Sequence, residues 1–264
     1  LISALKKCGE QYSITQINNQ LAVKSGRFRA MVPCIDPTLL SFPIPDNPCA
    51  VIDDRLKEGM ATVEVIKTDN AQRVVTQSFL LNGQSLIATD GKIILEYWHG
   101  IDLPIGLAIP KALIPAITKA NKKLSGFGFS NYSVTFYFED NSWIRSQLYA
   151  EAWPNIAHLI DRECKPIEIP KGFFEGVDAV EPFSEHGTVY FNKGIMQSHH
   201  EANKGATYEV PDLIEGPAYS VKYLDIIKPI ADKVDFCIYD GNKSGYIAMF
   251  YGNRVRGIIA GIRR

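Results

Sequence analysis

Leu113-Ile114-Pro115-Ala116-Ile117-Thr118-Lys119 has two relatives elsewhere in the same chain. Leu1-Ile2-Ser3-Ala4-Leu5-Lys6-Lys7 matches it closely, and Leu224-Asp225-Ile226-Ile227-Lys228-Pro229-Ile230 matches it more loosely. The copies begin at residues 1, 113 and 224, so they are spaced by 112 and then 111 residues. Each pattern predicts a short amphipathic helix with lysines on or beside it, followed by alternating strands joined by a polar turn. This regular spacing predicts one small unit copied along the chain.

A second pair of matching stretches lies between these copies. Lys57-Glu58-Gly59-Met60-Ala61-Thr62-Val63 is echoed by Phe174-Glu175-Gly176-Val177-Asp178-Ala179-Val180, with the Glu-Gly pair 117 residues further along. Each full unit is therefore predicted to run helix, strands, helix, strands. We predict an α+β fold with helices on one face and antiparallel sheets on the other. The expected domains are 1–42, which is the second half of a first unit whose beginning lies before Leu1, then 43–165 and 166–264.

Local patterns place the individual elements. Asn82-Gly83 between two apolar runs is a strong hairpin signal, and the prolines of 41–48 predict a linker. The predicted helices are 1–8, 51–66, 111–124, 170–181 and 221–233. The predicted strands are 12–17, 20–32, 73–81, 85–89, 91–98, 107–109, 134–139, 142–149, 187–192, 195–200, 206–210, 235–240, 246–250 and 255–262.

The composition is that of a soluble globular protein. Of the 264 residues, 46% are hydrophobic and 22% charged, and the net charge of −1 gives no global sign of nucleic-acid binding. Five scattered cysteines, none in a CxxC pair, argue against a disulfide framework or structural zinc and predict a reducing, cytoplasmic setting. No apolar run approaches the roughly 18 residues that a membrane helix needs, so we expect no membrane partner.

Three motifs resemble those of the bacterial DNA sliding clamps, the beta subunits of the replicative polymerase. Ala88-Thr89-Asp90-Gly91-Lys92 looks like the Ala-Thr-Asp-Gly-His of the middle clamp domain. Leu107-Ala108-Ile109-Pro110-Lys111 looks like the entry to its second helix, and Leu148 to Asn155 looks like its turn ending in Phe-Pro-Asp. The chain departs from the family at Lys92 and Ile93, where His and Arg are usual, and at its apolar end, which finishes in Arg263-Arg264.

The resemblance implies tandem DNA-clamp units and a role in DNA replication. A clamp is a processivity factor that encircles double-stranded DNA without reading its sequence and binds DNA polymerase and clamp-loader peptides. It forms a homo-oligomeric ring, with a dimer favoured, is not an enzyme and needs no cofactor or metal. Two alternatives stay open. One is a clamp-fold adaptor that no longer closes a ring, and the other is an enzyme whose site leaves no sequential motif.

The family binds partner peptides in an apolar groove between its middle and last domains. Carried over by motif, the groove residues of this chain would be Thr89, Gly91, Lys92, Ile93, Ile94, Pro154 and Leu159, closed by Ile258, Ile259, Ala260, Gly261 and Ile262. An edge strand that completes a sheet would also explain the apolar chain end.

Lysines beside the repeated helices are the candidate DNA-channel residues. Phosphate contacts need cations but no base recognition, and weak contacts exchange during sliding. The candidates are Lys6, Lys7, Lys119, Lys122, Lys123, Lys228 and Lys233. A solvated helix face would look the same, and the acidic residues of the 170–181 helix would be poor neighbours for phosphate.

Three other patterns have a simple structural interpretation beside a functional one. Thr89-Asp90-Gly91 fits a turn in which the aspartate caps its own backbone better than it fits a catalytic site. His199-His200-Glu201 suggests a metal site, but neighbours on a strand point to opposite faces, so we predict no metal there. Ser125-Gly126-Phe127-Gly128 lacks the rest of a dinucleotide fingerprint and is predicted to be a loop at a helix end.

Overall fold

The computed structural model describes residues 1–36, 43–67, 73–201, 203–240 and 245–262, without the side chains of 237–240 and 245. The chain divides into two compact units, Leu1–Ile44 and Pro45–Arg264. In the described residues, no helix is long and apolar enough to cross a membrane.

The first unit is one helix followed by a meander of three strands. Helix α1 (Ile2–Leu5) precedes strands β1 (Ser13–Ile17), β2 (Gln20–Ser25) and β3 (Phe28–Pro33) in a sheet of order β1-β2-β3. The prediction of one strand over 20–32 is wrong, because Gly26 takes a φ of 55° and turns the chain into a second hairpin.

The second unit begins with a half that contains the predicted Asn-Gly hairpin. Asn82 pairs with Ser85 across it, and Gly83 takes a φ of 63°. The elements in chain order are β4 (Pro48–Val51), α2 (Asp54–Glu64), α3 (Val74–Gln77), β5 (Ser78–Asn82), β6 (Ser85–Thr89), β7 (Ile93–Trp98), β8 (Ile105–Pro110), α4 (Ile114–Thr118), β9 (Leu124–Phe129), β10 (Ser133–Phe138) and β11 (Trp143–Gln147).

The remainder of the second unit repeats this order. After α5 (Ala157–Ile160) come β12 (Ile167–Glu168), α6 (Phe173–Val180), β13 (Thr188–Asn192), β14 (Ile195–Gln197), β15 (Thr207–Glu209), β16 (Ala218–Ser220), α7 (Val221–Ile227), β17 (Lys233–Asp240), β18 (Gly245–Gly252) and β19 (Val255–Ala260). Three helices are thus each followed by a three-stranded meander, namely α1, α4 and α7.

Sheet pairing shows the same repetition. One four-stranded sheet has the order β11-β10-β9-β4, and another has the order β15-β14-β13-β16. The largest sheet has eight strands in the order β12-β17-β18-β19-β7-β6-β5-β8, so it joins the two halves of the second unit through β19 and β7. The predicted α+β class with antiparallel sheets is confirmed.

The main core lies between the helices and the sheets, and it includes one face of the eight-stranded sheet and residues of both four-stranded sheets. Helix α2 buries Leu56, Met60 and Val63, as the helical period predicts. Gly59 lets this helix approach the sheet, because a Cβ there would lie 2.7 Å from a Tyr97 ring carbon. Gly176 has the same role on α6, where a Cβ would lie 3.0 Å from the Tyr208 ring. The repeated Glu-Gly pair therefore marks equivalent helix-to-sheet contacts.

Several predicted helices are shorter than their patterns suggest. The 111–124 prediction contains only a 3₁₀ turn and α4, since Leu124 already opens β9. The predicted loop around Gly126 and Gly128 is therefore wrong. Gly128 is needed inside β9 because a Cβ would lie 2.5 Å from the backbone oxygens of Asp46 and Asn47. The predicted strand 73–81 begins as helix α3.

The proline-rich linker is partly held against a sheet. Residues 41 and 42 lie outside the described part of the chain. Strand β4 begins at Pro48 and is the edge of its sheet, where a missing N–H is tolerated. The compact-unit boundary after Ile44 lies within two residues of the predicted boundary after 42. The three-domain division itself stays a prediction, because the eight-stranded sheet runs across the expected boundary at 165/166.

Candidate functional site

The outer face of the eight-stranded sheet, opposite the main core, carries a second apolar cluster. Along β7, Ile93, Leu95 and Tyr97 are buried in the main core, so the alternation of a strand turns Ile94 to the other face. Strand β19 alternates in the same way, with Ile259 in the main core and Ile258 in the second cluster. We call this second set the outer cluster, and its buried members are Leu80, Ile87, Ile160, Met249 and Ile258.

The segment from Trp153 to Cys164 covers the outer cluster. Its partly buried side chains Trp153, Ile156 and Leu159 pack against the cluster, and helix α5 contributes the fully packed Ile160. Trp153 is anchored at one end, because its indole Nε1 donates to Ser78 Oγ at 2.8 Å. The covering segment therefore has a defined position over the sheet, and it leaves apolar edges that a ligand can contact.

A cavity of about 390 Å³ opens beside this segment. Leu80, Ile87 and Ile156 form much of its apolar wall, and Pro154 lines its rim. A charged group closes one side, where Arg256 donates to Glu96 and lies 3.0 Å from Asp161. Burial acts to lower the pKa of Arg256, but the pairing with Glu96 and Asp161 outweighs it and the pKa is raised. An apolar wall with a few oriented charges is a common design for a peptide or small-molecule site.

The turn between β6 and β7 is held by its own side chains. Thr89 Oγ1 donates to the Ile93 carbonyl at 2.6 Å and accepts from Gly91 N at 3.0 Å. Asp90 accepts from the backbone N–H groups of Lys92 and Ile93 at 2.9 and 3.1 Å, and Gly91 takes a φ of 95°. The self-capping turn predicted from Thr89-Asp90-Gly91 is thus what the structure contains.

Asp90 also links this turn to the last repeat. Its second carboxylate oxygen accepts from Tyr223 Oη at 2.9 Å and lies 3.8 Å from Lys222 Nζ. Both of these residues belong to α7. The turn is therefore fixed from two sides, by its own backbone and by a helix of the other half of the unit.

The chain end runs along the same region. Ala260 N donates to the Lys92 carbonyl at 2.8 Å, Gly261 N to Tyr246 O at 2.7 Å, and Ile262 N to Ala218 O at 2.7 Å. The first two bonds continue the pairing of β19 with β7 on one side and with β18 on the other, so the chain end lies inside the sheet and is not the edge strand that the apolar sequence also allowed. Arg263 and Arg264 lie outside the described residues.

The predicted groove residues fall into three groups. Ile94, Leu159 and Ile258 belong to the outer cluster, and Pro154 lines the neighbouring cavity. Thr89, Gly91, Lys92 and the chain-end residues Ala260, Gly261 and Ile262 surround the turn described above. Ile93 and Ile259 are a correction, because both are fully buried in the main core on the opposite face. The matched motifs are continuous stretches of chain, whereas a strand offers only every second side chain to one face.

Sequence reasoning missed much of the apolar wall. Leu80, Ile87, Ile156 and Ile160 were not among the candidates, although all four line the cavity. The available signal was strand alternation from Ile94, but cross-strand pairing is needed to use it. Ile87 lies opposite Glu96, and Leu80 lies opposite Ile87, so their shared face follows only from the register.

The candidate channel lysines do not all lie where they were predicted. Lys6, Lys119 and Lys228 are each the C-terminal cap of a repeated helix, α1, α4 and α7. A cation there also interacts favourably with the helix dipole. Lys7 and Lys123 are exposed beside them. Lys233 is a correction, because α7 ends at Ile227 and Lys233 opens strand β17, where it pairs with Glu168 at 3.3 Å.

Two further candidate lysines, Lys122 and Lys228, also have acidic partners. Lys122 Nζ lies 2.6 Å from Asp140, and this contact lowers the pKa of Asp140 to about 2. Lys228 Nζ lies 2.8 Å from Asp178 of α6, which raises the pKa of Lys228. The acidic helix noted in the sequence therefore neutralises one candidate lysine.

The predicted strand over 195–200 is too long, so strand alternation does not separate the two histidines. Strand β14 ends at Gln197, before the histidines, so His199, His200 and Glu201 lie in a bend. Their donor atoms lie within 4.8 Å of one another.

Solved structures of bacterial clamps share this fold. The DNA polymerase III subunit beta of Pseudomonas aeruginosa is 15% identical, with a TM-score of 0.73 over 100% of this chain and 80% of that chain. The Caulobacter crescentus beta sliding clamp is 17% identical, with a TM-score of 0.75 over 99% of this chain and 79% of that chain. The DNA polymerase sliding clamp of Bacillus subtilis is 15% identical, with a TM-score of 0.73 over 99% and 77%.

No protein-family model and no curated protein matches the chain. Identities of this size establish the fold, and the predicted resemblance to bacterial sliding clamps is confirmed at that level.

Proposed function

We propose that this chain is a DNA sliding clamp, a processivity factor that encircles duplex DNA and binds replication proteins at the outer cluster. The junction between β19 and β7 is the observation that carries the proposal. It joins two repeats through five backbone pairs, from Val255 opposite Tyr97 to Ile259 opposite Ile93. A fold whose repeats join edge to edge can continue the same junction between chains.

The repeat identifies which edges would join. Strands β3, β11 and β19 are the last strands of equivalent meanders, and β15 is the equivalent of β7. Within the described residues, β3, β11 and β15 each end a sheet. Unpaired edges are templates for association. Pairing β3 of one chain with β15 of the next would repeat the β19–β7 junction and close a ring, for which the clamp resemblance favours a dimer.

The channel proposal rests on the helix-end lysines. Lys6, Lys119 and Lys228 occupy the same place in three repeats. Cations at repeated positions make sequence-independent contacts with phosphates that slide along the backbone. Lys7 and Lys123 add charge beside two of the caps, whereas Lys228 is partly neutralised by Asp178. We therefore assign the stronger DNA contacts to the first two copies.

The peptide-binding proposal rests on the outer cluster. Ile94, Leu159 and the rim residue Pro154 are accessible apolar side chains on a fixed frame. Partner peptides of polymerase and clamp-loader proteins would place apolar side chains against them.

Topological retention on DNA tests the ring. The chain is incubated with a linear duplex carrying biotin at both ends, and streptavidin is added either before or after the protein. A ring threads over free ends, so only the second order should leave protein bound in high salt. A restriction cut in the duplex should then release it. Equal retention in both orders, or none, would contradict encirclement.

Two measurements separate the alternatives in that experiment. A clamp-fold adaptor stays monomeric at high concentration by light scattering and is never retained.

Lys123→Glu should weaken retention at moderate salt, because it reverses a charge facing phosphate. Lys193→Glu, on the exposed β13–β14 turn, serves as the matched control.

Peptide binding is tested by fluorescence anisotropy with a panel of labelled short apolar peptides. Ile94→Lys should weaken binding at least tenfold, because it places a charge in the outer cluster. Ile105→Lys is the matched control, since Ile105 is 78% exposed on β8 and lies outside the cluster. Equal affinity of the two variants would place the binding surface elsewhere.

A further inference from the structure

The connection between β14 and β15 contains a cluster of metal-binding side chains on a closed loop. Ser198 N donates to the Ala206 carbonyl at 2.9 Å, and Ala206 N donates to Ser198 Oγ at 2.8 Å. These two bonds tie the ends of the loop together. Gly205 takes a φ of 71°, and a Cβ there would lie 2.2 Å from Ser198 Oγ. The base of the loop is therefore fixed by the pairing of Ser198 with Ala206. A side chain at Gly205 would force Ser198 to move.

Three donors from consecutive residues meet on this loop. His200 Nε2 lies 3.6 Å from Glu201 Oε1, and all three ligand atoms of His199, His200 and Glu201 lie within 4.8 Å of one another. A tetrahedral ion with bonds of about 2.1 Å separates its ligand atoms by about 3.4 Å. The His200–Glu201 pair is already close to that edge length, and only small rotations would bring in His199.

The imidazole rings of His199 and His200 are stacked. Their ring centroids are 4.3 Å apart and their planes differ by 29°. Glu201 N donates to His199 Nδ1 at 3.0 Å, so the neutral His199 ring carries its proton on Nε2. To ligate through Nε2, His199 must carry its proton on Nδ1 instead and give up the bond from Glu201 N, and to ligate through Nδ1 it must break that same bond. Either change is small compared with the bond formed to a transition metal.

The ammonium group of Lys204 is bound to the carboxylate that a metal ion would use. Lys204 Nζ lies 2.8 Å from Glu201 Oε1, and both side chains are about half exposed. A metal ion bound to Glu201 would compete with this ammonium group. Lys204 therefore weakens metal binding. Removing this lysine should strengthen metal binding, whereas removing a ligand should weaken it.

Further donors lie across a small cavity. A cavity of about 240 Å³ is lined by His199 and His200 together with His186 and Glu185. Three of the five histidines of the chain thus face one space. An ion on the His-His-Glu cluster would keep an open position toward this cavity, for water or for a fourth side chain.

We propose that His199, His200 and Glu201 form a binding site for a borderline divalent transition metal, with Zn²⁺ as the expected ion. Two imidazoles and one carboxylate are the ligand types that Zn²⁺ prefers, whereas Mg²⁺ and Ca²⁺ prefer oxygen alone. The site is on the last repeat and is independent of the DNA-clamp function.

Zinc titration of the full chain tests the site, with any affinity tag removed and the protein first stripped with a chelator. Isothermal titration calorimetry should show one Zn²⁺ per chain and no binding of Mg²⁺. His200→Ala should weaken Zn²⁺ binding at least tenfold. Lys204→Met should strengthen it severalfold, because the competing ammonium group is gone. His158→Ala, an exposed histidine on α5, should leave the affinity unchanged.

Visible absorption of the Co²⁺-substituted protein provides a second readout. A nitrogen- and oxygen-ligated site of low symmetry gives d–d bands that His200→Ala should abolish. The proposal is overturned if no saturable Zn²⁺ binding occurs, if His200→Ala binds Zn²⁺ as tightly as the unaltered chain, or if Lys204→Met weakens binding. Circular dichroism of each variant confirms that the fold is retained.

Discussion

Lys111 shows how one side chain can join three elements. Its Nζ donates to the carbonyls of Ile66, Thr76 and Thr89 at 3.0, 2.9 and 3.0 Å. Burial lowers the pKa of Lys111 to about 8, and the charge of Asp90 opposes that shift. The sequence placed Lys111 only at the entry to a helix. Its three partners are 22 to 45 residues away, so no local pattern could reveal that it fixes the end of β6, and with it the turn beside the outer cluster.

The single buried side chain of His99 makes the free energy of unfolding depend on pH. The side chain is 1% exposed, its Nδ1 accepts from Ile101 N at 3.1 Å, and burial lowers its pKa to about 4 from 6.5. The unfolded chain binds a proton below pH 6.5, but the folded chain does so only near pH 4. The free energy of unfolding should therefore decrease as the pH is lowered from 6.5 to about 4, by about 3 kcal/mol in total.

Urea unfolding at a series of pH values measures this effect. His99→Gln should flatten the dependence between pH 6.5 and 4.5, whereas His158→Gln, an exposed residue, should leave it unchanged. A full dependence in the His99 variant would assign the acid sensitivity to other groups.

At the scale of elements, the segment before β4 depends on one buried carboxylate. Asp46 accepts from Ser133 Oγ and Thr135 Oγ1, both at 2.8 Å, and lies 3.5 Å from Arg145 Nε. Tyr137 donates to its carbonyl oxygen. Burial acts to raise the pKa of Asp46, but these hydroxyl groups and Arg145 outweigh it and the pKa is lowered. The proline-rich stretch is thereby tied to β10.

Asp46→Ala should destabilise the second unit by about 2–4 kcal/mol, because it removes the acceptor of two hydroxyl groups and the charge paired with Arg145. Chemical denaturation measures the loss. Asn47→Ala, at the exposed neighbouring position, should change the free energy of unfolding by less than about 0.5 kcal/mol. Similar losses in both variants would mean that the carboxylate does not hold the segment.

Elements with strong local signals were predicted well. The Asn82-Gly83 hairpin, the buried face of α2 and the equivalence of Gly59 and Gly176 all follow from patterns within a few residues. The errors lie where tertiary contacts override such patterns. Leu124 continues an apolar helical face in sequence, yet it opens β9, because β9 completes a sheet with β4 and β10.

At the scale of the whole second unit, one glycine permits the junction between its halves. A Cβ on Gly257 would lie 2.2 Å from the Ile94 carbonyl oxygen and 2.3 Å from the Phe250 ring. Any larger side chain would push β19 away from β7 and divide the eight-stranded sheet. The continuous sheet also predicts that both halves unfold together.

Gly257→Val should therefore lower the free energy of unfolding by several kcal/mol and replace one unfolding transition by two. Calorimetry detects the transitions, and hydrogen exchange should show the amides of β7 and β19 losing protection first. Gly9→Val is a matched control, because the nearest atom to a Cβ there is 3.9 Å away. A single, unshifted transition in Gly257→Val would show that the junction tolerates the side chain.

The sequence by itself determined the repeat, the mixed class of fold and the resemblance to clamps, because periodic apolar residues, turn residues and matched motifs are local and survive copying. Only the tertiary structure decided which side chains share a face. Strand alternation turns Ile93 and Ile259 inward while cross-strand register gathers Leu80, Ile87 and Ile94 on the outside. The end of β14 at Gln197 likewise brings together His199, His200 and Glu201, which a longer strand would have separated. Backbone pairing between distant residues determines which side chains share a face of a sheet and which strands form its edges. No short stretch of sequence specifies that pairing.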